Sequence, residues 1–209
     1  MNKSMLITRP DHDVVTNYLF YWSTLIITQA HKSGRNVTDL SKERANAKEF
    51  ASVIRKTRPS MIVMNGHGSD SIVSGYDNEP LVEKDKNPDL LKGAIIFARS
   101  CQSANSLGLE AVKVGCKAYI GYDDDFVFVT ETAMVTKPLE DKTAQLFLEP
   151  SNYVAISLLK GHTPSDANKR SKDLFKKTIQ KLMSSAATSK DIELIPNLFW
   201  DYSHQVCLE

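Results

Sequence analysis

The sequence predicts a three-layer α/β domain, a mainly parallel sheet of about six strands with helices on both faces. Three observations carry this expectation. Short apolar runs alternate with segments of helical period along the whole chain. Two of those runs, MIVMN (61–65) and AIIFARS (94–100), are apolar almost throughout, as strands covered on both faces must be. No internal repeat, low-complexity tract or long Gly/Ser/Pro linker divides the chain, so residues 1–209 are expected to form one domain.

The elements follow in order. MLIT (5–8) reads as a strand. Residues 13–31 read as a helix with Val15, Leu19, Trp22 and Ile26 on one face. NVTDL (36–40) reads as a second strand. Ser41 is a candidate cap for a helix over 42–57 that turns Ala47, Phe50 and Ile54 inward. After the third strand at 61–65 comes a polar, loop-like stretch over 68–90. The fourth strand at 94–100 leads into a short helix over 103–114, and KAYIGY (117–122) supplies the fifth strand. A long connection follows, with a short strand-like piece. A helical stretch from about 139 to 160 is expected to break near Pro150. Thr163 and Pro164 start another helix that runs to about 184. The closing LFWDYSHQVCL is expected to contribute a last strand.

Composition excludes several function classes. The chain has 209 residues, 42% hydrophobic and 24% charged, with a net charge of +1. That balance gives no electrostatic footprint for nucleic acid or an anionic membrane. The apolar-rich run VVTNYLFYWSTLIIT is too short and too polar to span a bilayer, and the opening MNKSMLITRP lacks the apolar core of a signal peptide. Three cysteines, Cys101, Cys116 and Cys207, make no disulfide scaffold, which favours a reducing, cytoplasmic setting. Cys116 and Cys207 read as core residues. His12, His31, His162 and His204 show no metal-ligand spacing with one another or with a cysteine, so no metal is expected.

The chemistry concentrates at two strand ends. In a parallel α/β sheet, catalysis and binding sit at the carboxyl edge. His67 follows the third strand in NGHGS, and Cys101 follows the fourth in ARSCQSANSLG, 34 residues on. If those strands are neighbours, both side chains emerge at one edge. Gly66 and Gly68 permit a tight turn and close approach of a substrate backbone. A helix soon after Cys101 would lower its pKa through the positive end of its dipole. An imidazole beside it would serve as acid–base partner. The Gly68 and Cys101 backbone N–H groups are candidates for an oxyanion hole. A cysteine after a buried strand is commonly only a small buried hydrophobe, and a histidine in a Gly-rich loop only a turn residue. Finding the two in order at successive strand ends is what favours catalysis.

These same residues carry a family resemblance. His67-Gly68 and Ser100-Cys101-Gln102-Ser103-Ala104 resemble the dyad motifs of the caspase-like cysteine peptidases, a group that includes caspases, gingipains, clostripains, separases and CHAT-domain proteases. GLEAVKVGCKAYIGYDDD (108–125) and VAISLLKGHTPSDANKRS extend the likeness to the bacterial and CHAT-like branches. The strict Gln-Ala-Cys-x-Gly of caspases is absent, and the His–Cys spacing is shorter than their usual figure of about 50 residues, so cleavage after Asp is not implied. The resemblance implies a caspase-like α/β/α sandwich and a cysteine endopeptidase acting on protein or peptide substrates, in bacterial regulation or defence. An activating or regulatory protein is a further expected partner.

It also implies that an acid after the fifth strand, Asp123 or Asp125, holds a basic P1 side chain in S1 through charge-assisted hydrogen bonds. Asp70, beside the His motif, is either another S1 residue or a turn residue. A solvated acidic turn is the competing reading of residues 123–125. Calcium, which some relatives need, is disfavoured because adjacent carboxylates lack the spaced pattern of a calcium loop, so no cofactor is expected. Relatives carry a self-cleavage segment near 126–143. Lys137 precedes Pro138 and would be cut poorly, which makes Lys142 or another site the better one. The alternative to an enzyme is a catalytically silent caspase-like module that binds a partner or scaffolds a complex; a non-proteolytic thiol enzyme is a third reading.

Overall fold

The computed structural model describes residues 3–184 and 188–209. Its centre is a six-stranded sheet. The first strand, β1 (Ser4–Arg9), is followed by helix α1 (Val14–Lys32), strand β2 (Asn36–Ser41), helix α2 (Ala47–Thr57) and strand β3 (Met61–Asn65). Three short strands come next, β4 (Gly68–Ser69), β5 (Ile72–Ser74) and β6 (Pro80–Glu83). The chain then returns to the main sheet with β7 (Ile95–Arg99), α3 (Ser106–Lys113) and β8 (Ala118–Tyr122). It closes with α4 (Lys142–Leu159), α5 (Pro164–Leu182), α6 (Ser189–Glu193), α7 (Ile195–His204) and β9 (Gln205–Leu208).

The strand order is β2-β1-β3-β7-β8-β9, parallel throughout except for β9, which runs antiparallel to β8. Alternate side chains of each strand divide between two cores. Leu6, Ile62, Met64, Ile96 and Ala98 pack with Phe50 and Ile54 of α2 and Leu107 and Ala111 of α3. Met5, Ile7, Met61, Val63 and Phe97 pack on the other face with Ile26 and Ala30 of α1 and Val154, Ala155 and Leu158 of α4. This is the three-layer arrangement the alternation predicts. From β1 the chain goes one way to β2 and then the other way to β3. The carboxyl ends of β1 and β3 therefore flank a topological switch point, where connecting loops diverge and leave a crevice.

Several local expectations are corrected. Ser41 makes no side-chain cap; residues 42–44 form a single 3₁₀ turn, and Asn46 caps α2 by accepting from Glu49 N–H at 2.9 Å. Asparagine two positions before a charged, helix-favouring run is the better stop for the preceding chain. The stretch 68–90 holds a three-stranded antiparallel sheet, β4-β5-β6, whose strands are too short to show a period of two in sequence. Pro150 does not break its helix: α4 is continuous, because burial between α1 and α5 outweighs one lost hydrogen bond. The Pro150 carbonyl instead accepts from Ser171 Oγ at 2.7 Å. Most of the closing aromatic segment is helical, with Pro196 in its first turn and Leu198 and Asp201 facing inward at helical spacing. Only Gln205–Leu208 is strand.

A cluster of polar residues is buried below the carboxyl edge. Arg99 is fully buried and donates to Asn65 Oδ1 (2.9 Å), Asn152 Oδ1 (2.7 Å) and Ser23 Oγ (2.8 Å), joining β7 to β3, α4 and α1. Burial draws its pKa down to about 10. The three acceptors are neutral, so the guanidinium is held by hydrogen bonds and not by an ion pair. Among the described residues, no helix is long and apolar enough to cross a membrane.

Candidate active site

The register of β3 and β7 places the two motifs. Asn65 pairs with Arg99, the last residues of their strands, so His67 and Cys101 each lie two residues beyond the same rung of the sheet. The loops after these strands are then locked together. Ser100 Oγ donates to the His67 carbonyl at 2.9 Å. A Cβ on Gly68 would collide with Ser100 Oγ and lie 2.8 Å from the Ile72 carbonyl oxygen. Gly66 has φ +153°, and a Cβ there would collide with the Ser74 carbonyl. Both glycines are required by close approach of the chain's own atoms, Ser100 Oγ and the Ile72 carbonyl at Gly68 and the Ser74 carbonyl at Gly66, whereas the sequence alone assigns them to the approach of a substrate backbone.

Sequence reasoning missed the third member of the site. His67 Nε2 lies 2.6 Å from Asp13 Oδ2. Asp13 sits in the loop after β1, on the opposite side of the switch point from His67. Its other oxygen, Oδ1, accepts from Thr16 N–H at 2.7 Å while the Asp13 N–H donates to Thr16 Oγ1 at 3.0 Å, a capping box at the start of α1, and the Thr16 hydroxyl adds a bond to Oδ1 at 2.8 Å. The carboxylate is therefore fixed by the helix before it meets the imidazole. Burial works to raise the Asp13 carboxyl, but the bonds from Thr16 N–H, His67 and the Thr16 hydroxyl together hold it below its ordinary value. The signal in sequence was the Asp-x-x-Thr spacing, which reads equally as an ordinary helix start.

With Nε2 engaged, Nδ1 is the His67 nitrogen open to a reacting group. No hydrogen bond joins His67 to Cys101 among the described residues. The Cys101 thiol is directed at the Phe126 carbonyl, 3.9 Å away. Burial pushes this thiol above its ordinary value; the contact to Phe126 works the other way, and Asp125 raises it further. The expectation of a pKa lowered by a helix dipole is corrected. Helix α3 begins only at Ser106, and Asp70 occupies its positive end: Asp70 Oδ1 accepts from Ser106 N–H at 3.1 Å and its carbonyl from Leu107 N–H at 3.0 Å. The dipole acts within its first turn, and there a carboxylate takes it up.

The backbone around the thiol is strained. Gln102 has φ +57°, a left-handed conformation costly for a side-chain-bearing residue. The loop after β8 holds it: Gln102 N–H donates to the Asp124 carbonyl at 2.9 Å, and its side-chain amide to Asp125 Oδ1 at 3.1 Å. In the β4–β5 hairpin, Ser74 N–H donates to the His67 carbonyl at 2.9 Å, so Gly68 and Val73 form the non-hydrogen-bonded pair and the Gly68 N–H turns away from β5.

The acidic candidates separate. Asp123 Oδ1 is bound to His204 Nδ1 at 2.7 Å. Asp125 is the member of the run whose carboxylate stands beside the thiol. Asp70 is spent on α3. The long connection after residue 125 is pinned by Trp22 Nε1 to the Pro138 carbonyl (2.9 Å) and by Tyr18 OH to Asp141 (2.7 Å). Lys142 lies in the first turn of α4, so a cut there requires that turn to open.

No family model matches the chain, and no curated protein matches it. Among solved structures it is similar to the Arg-specific cysteine proteinase gingipain R, with a TM-score of 0.61 at 12% identity over 98% of this chain. The chain spans 45% of that protein's length. It is also similar to a secreted C11 cysteine protease of Bacteroides thetaiotaomicron (TM-score 0.42, 11% identity, covering 86% of this chain and 69% of that one). An inactive zymogen C11 protease of Parabacteroides distasonis is a third neighbour (TM-score 0.40, 13% identity, covering 90% of this chain and 67% of that one). The six-stranded, mostly parallel sandwich described above is the caspase-like fold, shared with gingipain R.

Proposed function

We propose that this protein is a cysteine endopeptidase in which Cys101 is the nucleophile, His67 the acid–base group and Asp13 its positioning residue. The observation that carries the reading is the shared rung of β3 and β7, which sets His67 and Cys101 at equal height beside a switch-point carboxylate. Cys101 Sγ attacks the scissile carbonyl carbon and passes its proton to His67. The oxyanion is held by the N–H groups of Gly68 and Cys101. His67 gives the proton to the leaving amine as the C–N bond breaks, and water then hydrolyses the thioester. Asp13 holds the ring so that Nδ1 faces this exchange and stabilises the imidazolium that forms.

Asp125 is the proposed S1 acid for a basic P1 side chain; the likeness to an Arg-specific fold neighbour supports that choice. Three free cysteines fit a reducing, cytoplasmic setting. Burial raises the thiol, and Sγ is directed at the Phe126 carbonyl and not at His67. This observation also favours a second reading, a silent partner-binding module on the same fold. A positional peptide-substrate screen on wild type and Cys101→Ala decides between them. The first reading expects cleavage after Arg or Lys by wild type and none by the variant. No cleavage by wild type with candidate activators present establishes the second, and equal turnover by both overturns Cys101 as the nucleophile.

A further inference from the structure

The fold gathers three metal-ligating groups that lie apart in sequence. One ligand atom each of His12, Asp13 and His67 lies within 4.8 Å of the others. Asp13 Oδ2 is the hub, 2.6 Å from His67 Nε2 and 3.7 Å from His12 Nε2. Two imidazoles and one carboxylate are a donor set suited to zinc and neighbouring transition metals, which bind imidazole nitrogen and carboxylate oxygen near 2.0–2.2 Å. Hard cations such as calcium demand more oxygens than this cluster offers.

Two of the ligands are held in place by other bonds. Asp13 is fixed through Oδ1 by the capping box of α1. His67 is fixed through its carbonyl, which accepts from Ser74 N–H and Ser100 Oγ at 2.9 Å each. The third ligand is underused. The His12 side chain is only 10% exposed, and the Tyr76 ring packs edge-on against it at 5.4 Å. Among the described residues its Nδ1 is buried with no hydrogen-bond partner, and Nε2 has only long contacts, 3.4 Å to Asn78 Oδ1 and 3.7 Å to Asp13 Oδ2. The nitrogen that faces Asp13, Nε2, thus makes no short hydrogen bond among the described residues and can take a metal ion at little cost.

We propose that His12, Asp13 and His67 form a binding site for a zinc-class divalent cation, with a fourth position open to water. Binding displaces the proton between His67 Nε2 and Asp13 to solvent and places the metal on the ring. Resting on the reading of His67 as the acid–base group, the cation is an inhibitor: it removes Asp13 from the imidazole and charges the site.

The test is calorimetric titration of zinc chloride into the full chain, in wild type, Cys101→Ala and His12→Ala, after far-UV spectra and melting temperature of the metal-free proteins are matched. The expected result is one equivalent bound by wild type and by Cys101→Ala, with affinity at least about tenfold weaker in His12→Ala. A second measurement covers a His12 variant that does not fold: cobalt(II) added to Cys101→Ala should give the visible bands of a four-coordinate nitrogen–oxygen site. Undiminished binding by His12→Ala, loss of binding in Cys101→Ala, or no zinc bound by wild type overturns the proposal. Metal bound without peptide hydrolysis leaves the site standing and removes only its inhibitory role.

Discussion

At the residue scale, Asp13 serves two partners through two oxygens, which allows its roles to be separated. Asp13→Asn keeps an acceptor for Thr16 N–H but removes the charge beside His67. Hydrolysis is expected to fall about 10–100-fold in kcat with little change in KM, and the acidic limb of the pH profile to move, because second partners of this kind typically matter by that factor. Asp13→Glu should not restore the rate, since the longer chain cannot cap α1 and reach the ring together. The stability change of Asp13→Asn should stay within about 1 kcal/mol. The sign of the pH effect follows from the depressed carboxyl: its contribution is complete above the ordinary value of 3.8 and is lost as pH falls through the lower native value. Gly68→Ala is the complementary case. Its Cβ meets Ser100 Oγ and two backbone carbonyls, so activity should be lost through displacement of the His67 loop.

At the element scale, the site depends on the ends of β1, β3, β7 and β8 keeping their heights. Arg99 enforces this from beneath. Asn152→Leu leaves one buried guanidinium N–H without its acceptor and removes the bond from Asn152 Nδ2 to the Trp22 carbonyl, and should cost about 2–4 kcal/mol in denaturant unfolding. Helix α7 supplies a second lever. Asp201 is buried, with Oδ1 accepting from Val127 N–H at 3.0 Å and Oδ2 without a partner among the described residues. Burial raises its carboxyl well above the ordinary value. Its stabilising form is thus the protonated one, complete below pH 3.8 and lost as pH rises through the native value. Asp201→Asn keeps the bond to Val127 and should stabilise the protein at neutral pH by about 1 kcal/mol or more, flattening its stability–pH curve above 3.8. A variant less stable than wild type at neutral pH would contradict this account.

At the scale of the whole molecule, what was legible in sequence follows from how far each signal reaches. The buried strands at 61–65 and 94–100 declare themselves by composition, and their order fixes which edge carries His67 and Cys101. Elements that depend on distant burial were not legible: the continuity of α4 through Pro150, the two- to four-residue strands after His67, and the helical form of the aromatic closing segment. Asp13 was hidden for a related reason. Its capping spacing is complete within four residues, and nothing local shows that the strand order β2-β1-β3 folds its loop against His67. The contact between the Cys101 thiol and Phe126 is likewise a product of packing between loops that are separate in sequence. The central claim is that Cys101 is the nucleophile of this edge. Intact-mass analysis of the full chain mixed with an activated ester of arginine, and acid-quenched before the thioester hydrolyses, tests it most directly. The account predicts one acyl group on wild type, mapped to Cys101 and absent from Cys101→Ala. An adduct on Cys116 or Cys207, or no adduct at any cysteine, would contradict it.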